Sequence, residues 1–316
     1  MSFDYLRNES RAIEFLAGKL REGTLVLVLG AGTSLEANLP DWLTLINRLR
    51  ARAGLDPMMP PQSADKLQAA ADEIKNQFCK GSEIEFAQLV KTCLYEGVSL
   101  SSDILKNDLL IALGALMIGS RRGSVKRVLT LNFDSLLEWY LALHGFVPRM
   151  ITQPPAMEGA EDVRIYHPHG FLPHPTLSYV ASDFVILGSH SINRRLGTTG
   201  EPWFELMRHL LRTGVCLFVG LSIDSFRDRA LAPLLVTVGA ELQHSRPTGF
   251  WLLRGDGSDE QDREFLSSNV VPIFEIATSR SQSFYCQSAG RQRCNRSLTV
   301  SVSYRQQRCM ARPMSV

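Results

Sequence analysis

Along the chain, short uninterrupted apolar runs alternate with stretches whose apolar residues recur every three or four positions. The runs predict strands at Leu25–Leu29, Arg127–Leu131, Val163–Tyr166, Phe184–Leu187, Val215–Val219, Phe250–Leu253 and Pro272–Ile276. Several are apolar throughout rather than alternating, as expected of parallel strands covered on both faces. Between them, Asp41–Ala53 places Trp42, Leu45, Ile46 and Leu49 on one helical face, and Phe133–Leu143, Glu201–Arg212 and Arg227–Leu242 read likewise. Such alternation predicts an α/β fold, a Rossmann-like, mostly parallel sheet with helices on both faces. One interval breaks the rhythm. From about residue 56 to 119 only helical patterns occur, entered through Pro57, Pro60 and Pro61, which predicts a helical insertion acting as a cap.

Composition narrows the class. With 316 residues and 45% hydrophobic content the chain can bury a large core. Its polar start is unlike a secretory signal, and the longest apolar run, Leu109 to Gly119, suits a buried helix rather than a membrane span. The six cysteines form no CxxC pair, which predicts reduced thiols in a cytoplasmic protein with no membrane partner. The net charge of +2 hides an asymmetry. Residues 279–316 hold seven arginines and no Asp, Glu or Lys, so the rest carries −5 (+2 minus +7). Residues 1–278 are thus expected to form the folded domain. The basic tail reads as a solvated, disordered segment, and through it alone would nucleic acid be a partner.

Four strand ends carry candidate chemistry. The first, "LVLGAGTSLEANLPDW", runs a strand into Gly30-Ala31-Gly32, where backbone N–H groups at a helix start could cradle a pyrophosphate. Leu35 stands where a dinucleotide fingerprint needs its third glycine, and no Gly-Lys-Ser/Thr follows as a Walker loop requires. The second is Thr130-Leu131-Asn132-Phe133-Asp134, placing Asn132 at a strand's carboxyl end, with Asp134 able to cap the following helix. The third, "IYHPHGF", puts His169 beside a flexible glycine. His167 reads as a hydrogen-bonded surface histidine. The fourth is Gly220-Leu221-Ser222, a close-approach glycine followed by a hydroxyl.

In this order the motifs resemble those of the sirtuin-like superfamily, from about Thr24 to Asp228. The resemblance implies an NAD site in which Gly30, Ala31, Gly32, Ser34, Gly220 and Ser222 line phosphates and ribose. It implies that Asn132 and His169 are the catalytic pair and that Asp134 engages nicotinamide. "LPDW" is similar to the family's Pro-Asp-aromatic segment, which puts Asp41 on the nicotinamide side. Residues 171 to 215 hold no cysteine, so the four-cysteine zinc module of protein-deacylating sirtuins is missing. Leu131 and Leu43 replace a glutamine and an arginine usual in those enzymes, and Asp224 falls one residue early to match a site aspartate.

With the helical insertion, these departures resemble the sirtuin-like NAD glycohydrolases of bacterial antiphage defence. That implies NAD as substrate, no metal, and a homo-oligomer or a separate sensor protein as partner. The alternatives are an NAD or ADP-ribose sensing module and, with less support, a protein deacylase. Chelator-washed protein is therefore expected to carry no stoichiometric zinc. Metal analysis finding about one zinc per chain would overturn this reading.

Overall fold

The computed structural model describes residues 3–101, 104–119, 123–155, 159–226, 230–255 and 258–275. The expectations for the tail, for Ile276 and for Asp228 lie outside them. Seven parallel strands form one sheet: β1 (Leu25–Leu29), β2 (Arg127–Thr130), β3 (Pro148–Ile151), β4 (Val163–Tyr166), β5 (Val215–Val219), β6 (Gly249–Arg254) and β7 (Val270–Glu275). Their order is β3-β4-β2-β1-β5-β6-β7. The register pairs Leu29 with Thr130 on one side of β1 and with Val219 on the other.

The central strands are apolar at every position because both faces are covered. Leu25, Leu27 and Leu29 join one core with Val215, Leu217 and Val219, under α1 (Glu9–Arg21) and α5 (Asp108–Ile118). Val26 and Val28 point the other way and join Cys216, Phe218 and Trp251 beneath α8 (Pro202–Thr213) and α10 (Ala232–Leu242). Period-two alternation of side chains thus divides a greasy strand between two cores. No helix among the described residues is long and apolar enough to cross a membrane.

Residues 56–119 contain no strand among those described. They hold α3 (Ala64–Gln77), α4 (Glu83–Leu94) and α5. Their buried faces, Leu67, Ala71 and Ile74 on α3 with Phe86 and Val90 on α4, pack on Leu45, Ile46 and Leu49 of α2 (Trp42–Arg52). Asn47 fastens the entry loop, donating to the Met58 carbonyl at 3.0 Å and accepting from its N–H at 2.7 Å.

Four local expectations need correction. Phe184–Leu187 is buried but forms no strand. Its apolar side chains divide between the two cores, while Ile186 N–H donates to the His169 carbonyl at 2.8 Å instead of joining the sheet. β3 occupies the edge, where Pro148 at its first position costs no ladder bond, and its Pro-Arg start hid it from an apolar-run criterion. The helix expected from Phe133 is α6 (Leu136–Leu143), delayed because Asp134 Oδ1 accepts the Leu136 N–H at 3.0 Å. Of the helix expected over Arg227–Leu242, whose first three residues lie outside the described ones, the structure shows α10 from Ala232, after the one-turn α9 (Ile223–Phe226), with Pro233 in its first turn, where a missing N–H is harmless.

Trp251 anchors the second core. It is fully buried, stacks on Phe218 at 4.6 Å between ring centroids and donates its indole N–H to the Leu221 carbonyl at 3.2 Å. Trp251→Ala is expected to cost about 3–5 kcal/mol, read as a shifted midpoint in denaturant unfolding.

Candidate functional site, a cleft at the carboxyl end of the sheet

From β1 the chain moves to β2 on one side, and β5 returns to its other side, so the strand order reverses between β1 and β5. Open parallel sheets hold ligands at such a reversal, outside the strands' carboxyl ends. A cleft of about 910 Å³ lies there. Gly30, Ala31, Gly32, Ser34 and Asp41 line it, as do Asn132, Asp134, His169, Gly220 and Ser222.

The two glycine turns touch each other. Gly30 N–H donates to the Val219 carbonyl at 3.0 Å and Gly32 N–H to the Gly220 carbonyl at 2.8 Å. A Cβ on Gly32 would lie 2.8 Å from Gly220 Cα, and one on Gly220, whose φ is +69°, would lie 2.6 Å from Thr33 N. The first requirement for these glycines is therefore backbone contact between the turns. The segment after β1 is not a helix start but two short 3-10 turns, Ala31–Thr33 and Leu35–Ala37. The N–H groups of Gly30 and Gly32 are taken by this contact and those of Thr33 and Ser34 by the Gly30 and Ala31 carbonyls of their own turn, so none of these four is a free donor for a ligand.

Asn132 fixes the underside of the first turn. Its Nδ2 donates to the Gly30 carbonyl and Thr33 Oγ1, each at 3.1 Å, and reaches Ser34 Oγ at 3.3 Å. Ser34 in turn donates to Asp134 Oδ2 at 2.9 Å. Asp134 is thus held within the fold, and burial pushes its carboxyl above the ordinary range. The Leu136 N–H opposes that shift, while nearby Glu138 adds to it. Asp41 is exposed and caps α2 through the Thr44 N–H at 2.8 Å. Ser222 is exposed, with its hydroxyl 3.2 Å from that of Ser225.

His169 is half-buried, with its ring 6.1 Å from that of Phe133. Gly170 makes the corner possible. Its φ is +106° and a Cβ there would lie 2.6 Å from the Phe184 carbonyl oxygen. His167 is not a surface residue. It is fully buried against Glu138, a partner that sequence reasoning missed although a glutamate among the apolar residues of "SLLEWYL" was a legible signal.

Also missed was how much the insertion contributes. Gln62, Leu67, Leu94, Asp108 and Leu109 line the cleft, and Ser189 Oγ of α7 (Ser189–Arg195) ties that helix to the insertion by donating to Asp72 Oδ2 of α3 at 2.7 Å. Among the described residues, the charged side chains lining the cleft are all acidic: Glu36, Asp41, Asp108 and Asp134. No group of three or more His, Cys, Asp or Glu among them could hold a metal ion.

Residues 126–273, just under half the chain, match the SIR2-like domain family. The match runs from the start of β2 into β7, takes in Asn132, Asp134, His169, Gly220 and Ser222, and leaves out the Gly30–Gly32 turn and the insertion. It supports the sirtuin-like superfamily. No curated protein matches the chain. A solved structure described as "Structural Basis for the Mechanism and Regulation of Sir2 Enzymes" is similar over 92% of this chain and 96% of its own, at 14% identity and a TM-score of 0.44. A likeness that weak decides nothing about the site.

Because the Gly32–Gly220 contact is backbone to backbone, Gly32→Ala is expected to force the turns apart and cost about 1–3 kcal/mol. Gly18 in α1 has nothing within 4 Å of an added Cβ. Gly18→Ala is therefore expected to stabilise by about 0.5–1 kcal/mol. Opposite shifts in thermal melting would bear out both; a neutral Gly32→Ala would show that the turns can yield.

Proposed function

We propose that the chain, with a SIR2-like domain over residues 126–273, hydrolyses the nicotinamide–ribose bond of NAD to nicotinamide and ADP-ribose. The observation that carries this reading is the convergence of residues from four separate strand ends on one cleft where the sheet order reverses. The cleft is large enough to divide its chemistry. Gly30, Ala31, Gly32 and Gly220 put no bulky side chain into the cleft, which leaves room for a pyrophosphate and ribose beside the exposed Ser222 hydroxyl. Apolar Leu252, Leu253 and Phe274 suit an adenine, and the acids Glu36, Asp41 and Asp108 suit a cationic pyridinium.

In the proposed reaction the C1′–N bond breaks, its electrons go to nicotinamide, and an oxocarbenium-like centre is left on the ribose. Water supplies the new C1′–O bond and releases a proton. His169 accepts that proton or orients a ribose hydroxyl. Asn132 already spends its side-chain nitrogen on the glycine turn, so its side-chain oxygen, Oδ1, is the group left to direct the water. The insertion forms the far wall and limits access of bulk water. By resemblance, the same activity would serve NAD depletion in antiphage defence, with self-association or a sensor protein as trigger. The cysteine-free interval after His169 weighs against a protein deacylase.

The test is incubation of purified protein with NAD, with nicotinamide and ADP-ribose followed by chromatography. His169→Ala is expected to lower turnover about 10²–10⁴-fold with little change in melting temperature. Asn132→Ala should abolish turnover and also cost about 1–2 kcal/mol, because its amide holds the glycine turn. Retained turnover in both variants would overturn the assignment. NAD binding without turnover in the unmodified protein would favour the sensing module instead.

A further inference from the structure

Nothing in the proposed reaction uses the deeply buried Glu138–His167 pair beside the two reacting side chains. Glu138 lies on α6 and His167 two residues before His169, and they are 1% and 0% exposed. Glu138 Oε1 is 2.8 Å from His167 Nε2, and the other ring nitrogen, Nδ1, is 3.3 Å from the Asn132 carbonyl oxygen. Both ring nitrogens therefore face acceptors. A neutral imidazole offers one donor and one acceptor, so to bond through both ring nitrogens the pair holds one proton beyond that. It does so either as imidazolium and carboxylate or as neutral ring and carboxylic acid. In both forms the Nδ1–H points at the Asn132 carbonyl.

Stability alone does not account for such a pair. Replacing a buried ion pair with apolar residues of similar volume is often neutral or stabilising. Its location is more informative. The His167 ring takes the Asn132 carbonyl, and the Leu172 N–H takes the next one, that of Phe133, at 2.7 Å. The loop carrying His169 is thus stitched to the strand end carrying Asn132 at two successive carbonyls. The Phe171 ring closes over His167 at 4.7 Å between centroids, and His167 N–H continues the sheet by donating to the Ile151 carbonyl at 2.8 Å. Ser135, Tyr95 and His174 brace the same loop from behind. Tyr95 donates to the Leu172 carbonyl at 2.7 Å, and the His174 N–H donates to Ser135 Oγ at 3.0 Å.

We propose that Glu138 and His167 are positioning residues that set the spacing between Asn132 and His169 through the hydrogen bond from His167 to the Asn132 carbonyl. This rests on the NAD-cleaving reading above. Neither side chain needs to touch the substrate. Their work is to keep the two reacting side chains in register, where a displacement of about 1 Å can cost about 10²-fold in rate.

Three variants of the full chain separate positioning from packing. His167→Phe removes the bond to Asn132 and is expected to lower kcat about 10²-fold with KM for NAD little changed. Glu138→Leu with His167→Phe replaces the pair with apolar groups. This double variant should melt at or above the unmodified protein and remain as slow as His167→Phe. In Glu138→Gln the amide can donate to Nε2 and leave the Nδ1–H in place, so most turnover should survive. Wild-type kcat in the double variant, or Glu138→Gln as slow as the double variant, would overturn the proposal.

If the unmodified protein cleaves no NAD, it is the reaction that falls, and nitrogen NMR of the His167 ring then decides the pair. A proton on Nδ1 supports the positioning bond; a bare Nδ1 overturns it.

Discussion

Gly32 and Gly220 meet backbone to backbone at the place where β1 and β5 lie side by side, and the geometry of the cleft follows from that contact. With Gly32 N–H bonded to the Gly220 carbonyl and no Cβ between them, the two strand ends approach closely enough to make one continuous floor. Asn132 then reaches under the first turn from β2, and Trp251 holds the second from below through the Leu221 carbonyl. A side chain at either glycine would separate supports that depend on each other, so the floor is rigid through sharing rather than through any single strong bond.

Above that floor, polar groups inside the protein have two uses. The run from Asn132 through Ser34 to Asp134 is satisfied internally, which leaves Asp134 in a low-dielectric setting that favours its proton. The Glu138–His167 pair lies on the other side of Asn132 and bonds to its backbone rather than its side chain. One residue is thus gripped at both ends, by its amide towards the glycine turn and by its carbonyl towards the histidine loop. Buried polar networks carry a large penalty when half satisfied, and here both halves bear on the same asparagine.

Much of this was legible in the sequence, and the failures have physical causes. β1, β5 and β6 announce themselves because strands covered on both faces must be greasy at every position. The same signal misled at Phe184–Leu187, where the segment is divided between two cores but passes His169 without a ladder. β3 was hidden because an edge strand tolerates proline and arginine. The order of the motifs brought ten candidate residues to one cleft. What a linear reading could not supply was the partner of each side chain. His167 looked like a surface residue because Glu138, which buries it, lies 29 positions earlier. The glycines looked free for a ligand because the turn that they touch lies far along the chain.

The β1–β5 pairing also has a consequence for how the protein comes into being. β1 finds one neighbour in β2, but the other, starting at Val215, leaves the ribosome only after the insertion, Asn132 and His169 have been made. Non-local pairing of this kind is slow, and the waiting strand edge is exposed until it is complete. The segments carrying Asn132 and His169 are therefore made before their floor, and the nascent chain cannot complete the cleft before the second glycine turn arrives.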